Sequence, residues 1–176
     1  MKALITGASS GIGRDFAHVL GSMGCELILV ARRENRMEEL RNELPVPVQI
    51  ICADLSSERE CFALYEQVRE EHIDILINNA GFGISGAVEF TETSDAQRLF
   101  DVNFFGMVRM NRAILPLMRE QGQGRIVNLS SVAAPVPIPF QTYYSAGKAA
   151  VNSYTMALSN EVKPFGITVA LSLIHI

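Results

Sequence analysis

The stretch TGASSGIG, residues 6–13, decides how this chain folds. It follows a short β-rich run, Lys2–Thr6, and opens a segment with helical character, Gly11–Met23. Glycine suits a tight turn in which a side chain would block the backbone or an approaching pyrophosphate. The glycines of this turn are Gly7, Gly11 and Gly13. The stretch predicts a strand–turn–helix unit that binds a dinucleotide, because the helix N-terminus offers N–H groups to the phosphates. The alternative is a glycine-rich turn without a ligand.

Short β-rich runs alternate with helical patterns along the rest of the chain. Further strands are predicted at Glu26–Ala31, Val46–Cys52, Asp74–Asn78, Arg125–Ser130 and from Gly166 to Leu171. Further helices are predicted at Glu34–Leu44, Ser57–Glu71, Ser94–Glu120 with a bend near Pro116, and Thr142–Val162. This alternation requires crossover connections and a parallel sheet. We therefore predict one Rossmann-type α/β domain over residues 1–176, a doubly wound sheet between two helical layers with strand order 3-2-1-4-5-6 and the final strand missing.

Composition excludes several other classes of protein. Apolar residues make up 48% of the chain, charged residues 19%, and the formal net charge is −4. An acidic balance predicts neither a nucleic-acid partner nor a membrane partner. The three cysteines form no C-x-x-C pair, so we predict no metal site and a reduced, cytoplasmic location.

The end of the second predicted strand indicates which nucleotide binds. That strand ends in LVARR, with Arg32 and Arg33 where an acidic residue would hold the ribose hydroxyls of NAD. Guanidinium groups suit a 2′-phosphate because they are planar, permanently charged and able to bind two oxygens at once. We therefore predict NADP in preference to NAD, with Arg32 as the main contact and Arg33 assisting. Two solvated surface arginines are the alternative.

Three polar side chains are predicted to meet beside the cofactor. Tyr144 and Lys148 are one helical turn apart and share a face of the Thr142–Val162 helix. Ser131 follows the fifth strand, at the carboxyl edge of the sheet where ligands bind in such folds. A hydroxyl group can act as an acid or a base when an amine lies beside it, so this cluster predicts proton transfer and catalysis.

These motifs together make the chain resemble the short-chain dehydrogenase/reductase family, from its start to Ala170. TGASSGIG resembles the family's cofactor turn, and NNAG at residues 78–81 resembles its fourth-strand signature. Asn103 in DVNFFG, Ser131 in IVNLSS, and Tyr144 with Lys148 in YSAGK match its catalytic residues. Gly147 departs from the family pattern, which usually has serine or another residue before the lysine.

The resemblance implies a role for each matching residue. Tyr144 is expected to be the proton donor in reduction and the acceptor in oxidation. Lys148 is expected to favour the phenolate and to hold the nicotinamide ribose. Ser131 is expected to bind the substrate oxygen, and Asn103 to hold a water that links Lys148 to solvent. The cofactor-binding residues expected are Gly7, Ser9, Ser10, Gly11, Ile12, Gly13, Arg32, Arg33, Asp54, Leu55, Asn79, Ala80, Gly81, Tyr144 and Lys148.

The implied activity is hydride transfer between NADP(H) and a carbonyl or secondary alcohol. Residues 106–109 and 137–140 are most similar to members that act on hydroxysteroids, retinoids or related lipids. Reduction of 3-oxoacyl groups or other small carbonyls is the alternative substrate class, and a non-catalytic dinucleotide-binding module is the alternative from another class. The parent enzyme is expected to be a homo-oligomer.

The end of the chain departs from the family pattern. After GITVA the sequence reads LSLIHI, where the family continues into a substrate-covering segment and a final strand. We expect residues 171–176 to be non-native, the translation of a sequencing adapter, and the fragment to be poorly soluble and slow. The alternative is that Leu171–Ile174 completes the sixth strand.

Overall fold

The computed structural model describes residues 1–174. Six strands form one parallel sheet: β1 (Lys2–Thr6), β2 (Glu26–Ala31), β3 (Val48–Cys52), β4 (Ile75–Asn78), β5 (Gly124–Ser131) and β6 (Ile167–Ile174). Their order is β3-β2-β1-β4-β5-β6, and every neighbouring pair is parallel. The predicted order is confirmed, with β1 and β4 adjacent at the centre.

Helices cover both faces of this sheet. They are α1 (Gly11–Ser22), α2 (Glu34–Glu43), α3 (Glu58–Val68), α4 (Thr93–Phe100), α5 (Met107–Gln121) and α6 (Thr142–Val162), with short 3₁₀ turns at Val88–Phe90 and Lys163–Phe165. Side chains alternate between the two faces along each strand, so Leu4 packs with α3, α5 and α6 while Ile5 packs with α1 and α2. The two apolar layers therefore fix the sheet from both sides and leave its carboxyl edge for the site.

Several predicted boundaries hold to within one to three residues. Helix α6 begins and ends as predicted, and Ser57 caps α3, accepting a hydrogen bond from the Glu60 N–H at 3.3 Å. Strand β3 begins at Val48 rather than Val46, because Pro47 has no N–H to donate to the ladder.

The long helix predicted over Ser94–Glu120 is wrong as one continuous α-helix. A π-helical turn, Asp101–Gly106, separates α4 from α5, whereas Pro116 lies inside α5, which continues to Gln121. The interruption therefore falls well before the predicted bend. Its wider turn carries Asn103, whose buried amide bonds the backbone of a neighbouring loop.

Strand β6 extends beyond the predicted Leu171. Leu171–Ile174 continues the pairing with β5, ending at Ser131 opposite Ile174. This is the strand-completing alternative for that segment. His175 and Ile176 lie outside the described residues, and the non-native origin of 171–176 stays a prediction.

Candidate active site

The glycine-rich turn joins β1 to α1 and needs glycine for two separate reasons. Gly7 has a φ of 67°, and a Cβ there would lie 2.8 Å from the Ala80 Cα. A Cβ on Gly13 would collide with the carbonyl oxygen of Gly7. Gly11 differs: apart from its chain neighbours and the first turn of its own helix, no atom among residues 1–174 lies within 4 Å of a Cβ built there, so it borders open space. The turn is tight on its inner side and open on its outer side.

The end of β4 is joined to this turn through one threonine. The Thr6 hydroxyl donates to the Ile77 carbonyl at 3.2 Å and accepts from the N–H groups of Asn79 and Ala80 at 3.0 and 3.1 Å. The Asn79 side-chain amide donates back to the carbonyls of Thr6 and Gly7 at 3.0 and 3.2 Å. Sequence reasoning included Asn79 among the cofactor-binding residues and missed Thr6, because a strand-terminal threonine carries no signal of its partner.

A cavity of about 350 Å³ lies in front of the turn. The structure brings twelve of the predicted cofactor residues to its wall: Gly7, Ser9, Ser10, Gly11, Ile12, Arg32, Arg33, Asp54, Leu55, Asn79, Ala80 and Gly81. Sequence reasoning missed five further lining residues: Val30, Ala31, Ala53, Phe82 and Val102. Gly13, Tyr144 and Lys148 do not line it. Gly13 instead packs behind the turn.

Two arginines enter this cavity from the end of β2 in different ways. The Arg33 guanidinium donates to the hydroxyls of Ser9 and Ser10, each at 3.0 Å. Arg32 is 60% exposed at its side chain and lies 3.7 Å from an oxygen of Asp54. Arg33 is therefore the arginine that contacts the glycine-rich turn, whereas the sequence prediction gave Arg32 the larger role.

Asp54 is held as a carboxylate at the far wall of the cavity. Burial alone would raise its pKa, but hydrogen bonds from the Ser56 N–H and hydroxyl and the charges of Arg32 and Arg98 hold the pKa below its usual value. The two Ser56 bonds are 3.0 and 2.8 Å long. An ionised carboxylate only accepts hydrogen bonds, so this side chain can receive one from an amine such as that of adenine.

Ser131, Tyr144 and Lys148 lie at the junction of β5 and α6. All three are buried, with 3%, 7% and 4% of their surface exposed. The Lys148 Nζ donates to the Leu129 carbonyl at 2.8 Å and lies 5.8 Å from the centroid of the Tyr144 ring. The Tyr144 hydroxyl has no hydrogen-bond partner among residues 1–174. The structure thus leaves one buried hydroxyl without a partner, beside a buried amine.

Burial changes the protonation of the amine. It lowers the pKa of Lys148 from 10.5 to about 8, because the charged form loses solvation. Near neutral pH the amine is still mostly protonated, yet it can release its proton within the physiological range. A group with this property can favour a phenolate beside it and can also pass a proton onward.

Asn103 bonds the segment that follows NNAG through its side chain. Its side-chain oxygen accepts from the Phe82 N–H at 2.9 Å and its amide donates to the Phe82 carbonyl at 2.7 Å. Its side-chain hydrogen bonds within residues 1–174 therefore go to Phe82 rather than to Lys148. The π-helical turn orients this asparagine to fix the segment after NNAG. A water-holding role stays a prediction.

The surroundings of Tyr144 are apolar. Tyr144 packs with Leu99 and Ala133, and the partly buried side chains against this group are Phe82, Ile84, Phe100 and Ile138. Three larger apolar side chains on the loop after β5 are exposed: Val132, Val136 and Phe140. Phe140 has a φ of 64°, which is unusual for an aromatic residue, and its carbonyl accepts from the Gly86 N–H at 2.8 Å. The two loops beside the tyrosine are therefore tied together.

Residues 1–174 include no helix that is long and apolar enough to cross a membrane.

Comparison with known proteins assigns the family. The sequence profile described as short chain dehydrogenase matches residues 1–173. The chain therefore belongs to the short-chain dehydrogenase family. It is 39% identical over 170 residues to the 3-ketodihydrosphingosine reductase of Bacteroides thetaiotaomicron, covering 96% of this chain and 61% of that protein. The match to a probable short-chain dehydrogenase/reductase of Helicobacter pylori covers 62% of that protein. The chain therefore spans a little under two thirds of the length of these two relatives.

Solved structures share the fold closely. A short-chain dehydrogenase from Sphingobium yanoikuyae in complex with NADPH superposes with a TM-score of 0.92 at 37% identity, covering 98% of this chain and 69% of that one. A bulky-bulky ketone-specific alcohol dehydrogenase from Comamonas testosteroni gives 0.92 at 37% identity, covering 98% and 71%. The Rossmann-type α/β fold is confirmed.

Proposed function

We propose that this chain is the cofactor-binding and proton-transfer part of an oxidoreductase that acts between NADP(H) and an apolar carbonyl or secondary alcohol. The observation that carries the proposal is the buried, unpartnered hydroxyl of Tyr144 beside Lys148, at the carboxyl edge of a sheet whose glycine-rich turn borders a cavity. The whole parent enzyme's activity is part of this proposal, since the chain spans 61% of its B. thetaiotaomicron relative.

The cavity fits a dinucleotide. Gly11 faces open space, and among the described residues no side chain caps the start of α1, so its first N–H groups can bind phosphate. Arg32 and Arg33 would hold the 2′-phosphate of NADP, and Asp54 would accept from the adenine amine. When bound, the cofactor supplies or accepts the hydride. The Sphingobium relative in complex with NADPH supports the choice of NADP.

The residues of the chain supply the proton and the orientation. In reduction, the Tyr144 hydroxyl donates its proton to the carbonyl oxygen; in oxidation, the phenolate takes the alcohol proton. The Lys148 ammonium favours that phenolate by its charge and can reprotonate it. Ser131 donates a second hydrogen bond to the same substrate oxygen, and Asn103 holds the segment at Phe82 in place.

The apolar walls favour a lipid-like or otherwise bulky substrate, such as a steroid, retinoid or long-chain ketone. Phe82, Ile84 and Ile138 pack around the tyrosine, and the nearest charged groups are the Arg98 guanidinium over the Phe82 ring at 5.9 Å and the Lys148 amine. Two relatives point the same way by name, the 3-ketodihydrosphingosine reductase and the bulky-bulky ketone-specific dehydrogenase. A small 3-oxoacyl substrate remains the competing class.

Turnover with NADPH tests the proposal. We expect NADPH oxidation with a long-chain or bulky apolar ketone and at least roughly tenfold lower kcat/KM with a short ketone, which corresponds to about 1.4 kcal/mol of lost apolar contact. The Tyr144→Phe variant is the matched control, since it should lose turnover and still bind NADPH. Binding of NADPH without turnover of any ketone by a parent-length enzyme would instead identify a non-catalytic dinucleotide-binding module.

Cofactor choice is tested separately. Each charged hydrogen bond to a phosphate is worth about 1.5–3 kcal/mol, so Arg33→Ala and Arg32→Ala should each weaken NADPH binding by about tenfold to a hundredfold. NADH lacks the 2′-phosphate, and its binding should change little. Arg36→Ala removes a charge from the exposed side of α2 and serves as the control. Equal losses for NADPH and NADH would show that neither arginine reads the phosphate.

A further inference from the structure

A polar ladder joins β5 to α6 in a layer that also holds buried Asn78 and Asn111, with the Asn78 amide donating to the Asn128 side-chain oxygen at 2.8 Å. The Asn128 amide donates to the Thr155 hydroxyl at 3.0 Å, and the Ser130 hydroxyl donates to the Asn152 side-chain oxygen at 2.5 Å. Asn128 and Ser130 have none of their surface exposed. Because they are two residues apart on the strand, both point to the same face of the sheet.

This ladder lies beside the lysine of the site. Lys148, Asn152 and Thr155 lie on one face of α6, since they are spaced by four and three residues. The Ser130 hydroxyl is also 3.3 Å from the Lys148 carbonyl, and the Lys148 Nζ donates to the neighbouring residue of the strand, Leu129, at 2.8 Å. Ser130 therefore contacts the helix next to Lys148, and Ser131 follows it directly in the strand.

Apolar contacts alone would not fix where α6 lies along β5. Burial of apolar surface is non-directional, so a helix can shift along a sheet and keep much of its contact area. A buried hydrogen bond is directional, and leaving its donor or acceptor unpaired is expensive. One residue of helical rise is 1.5 Å, a displacement that would break the Ser130–Asn152 bond and the Lys148–Leu129 bond together.

We propose that Ser130 and Asn152 are positioning residues, which set the register of α6 on β5 and thereby the location of the Lys148 amine. Their contribution to turnover rests on the proposed function of Lys148. The location of the amine does not, so it can be measured without any substrate or cofactor.

Competitive acylation with acetic anhydride, read by mass spectrometry, measures that location. The lysines of the chain are Lys2, Lys148 and Lys163, so two of them serve as internal references in the same sample. Ser130→Ala and Asn152→Ala should each raise the labelling of Lys148 relative to both references by about fivefold at pH 8. This is the increase in the population with a displaced, accessible amine that the loss of one ordinary hydrogen bond should cause. The double variant should resemble the single ones, because both substitutions remove the same bond.

Three controls make this result specific. Ser130→Thr keeps the hydroxyl and should label like the wild type, and Ser153→Ala changes an exposed serine on the same helix. Ile28→Val lowers stability by about 1 kcal/mol in a strand away from α6. If Ile28→Val raises Lys148 labelling equally, or if the two alanine substitutions add, the positioning proposal is overturned.

Turnover then connects the register to catalysis. In a chain that turns over, Ser130→Ala and Asn152→Ala should lower kcat by about fivefold or more and change KM for the ketone little. Unchanged kcat with raised labelling would overturn the catalytic part of the proposal. Absent wild-type turnover would count against the proposed function, while the labelling would still decide the positioning.

Discussion

Replacing Lys148 by methionine should stabilise the fold at neutral pH while removing a residue of the site. The ammonium is buried, and burial lowers its pKa from 10.5 to about 8. At 1.36 kcal/mol per pKa unit, keeping it charged at pH 7 costs about 3 kcal/mol of folding free energy. Methionine has a similar shape and no charge, but it loses the hydrogen bond to Leu129, which offsets about 1–2 kcal/mol. We expect a net gain of roughly 1–2 kcal/mol at pH 7.

The difference in unfolding free energy between Lys148→Met and the wild type should depend on pH. The folded state releases the Lys148 proton at lower pH than the unfolded state, so the penalty is complete below about pH 8 and is relieved as the pH rises toward 10.5. Between pH 7 and pH 9.5 the advantage of Lys148→Met over the wild type should shrink by about 2 kcal/mol. The variant should then be no more stable than the wild type.

Urea unfolding followed by far-ultraviolet circular dichroism at both pH values measures this difference. Lys163→Met removes an exposed lysine just beyond α6 and controls for the loss of a surface charge. A Lys148→Met variant that is less stable than the wild type at pH 7, or a difference that does not change with pH, would refute the reasoning about burial.

Three further substitutions separate folding from binding in the same site. Gly13→Ala should destabilise the fold by about 1–3 kcal/mol or more in urea unfolding, since the new Cβ meets the Gly7 carbonyl; an unchanged midpoint would contradict this packing. Gly11→Ala should lose only about 1 kcal/mol of stability, because its φ is 54°. The same variant should bind NADPH roughly tenfold more weakly, because the new Cβ enters the cavity. Titration of NADPH fluorescence measures this affinity, and an unchanged affinity would place the cofactor elsewhere. Tyr144→Phe should unfold at the same or higher urea concentration, since it deletes a buried hydroxyl without a partner in the described chain. A clear loss of stability there would mean that the hydroxyl is bonded in solution.

The sequence predicted the order of strands and the residues at the carboxyl edge because both follow from local patterns. Alternating strand and helix periods require parallel crossovers, and the spacing of Tyr144 and Lys148 places them on one helical face. The π-helical turn at 101–106 was missed, since an i to i+5 turn has no residue signature of its own.

Contacts between distant segments were the other part that could not be predicted. Thr6 bonding to Asn79 joins residues more than 70 positions apart, and Arg33 reaches the serines of the turn although Arg32 precedes it at the strand end. Such bonds depend on the distances between packed helices, strands and loops. Local sequence patterns predict the helices and strands but not those distances. The start of β3 at Val48 has a local reason instead, since Pro47 has no N–H to donate to the ladder.

The unpartnered hydroxyl of Tyr144 also bears on which apolar molecules this site rejects. An apolar pocket by itself accepts hydrocarbons and membrane lipids of the right width. Here a molecule with an oxygen at that point gives the buried O–H the partner that it lacks in the described chain, and a hydrocarbon of the same shape does not. Discrimination against inert lipids of the same shape would then come from a single atom. Among hydrophobic compounds of equal width, those that carry the oxygen would therefore bind in preference.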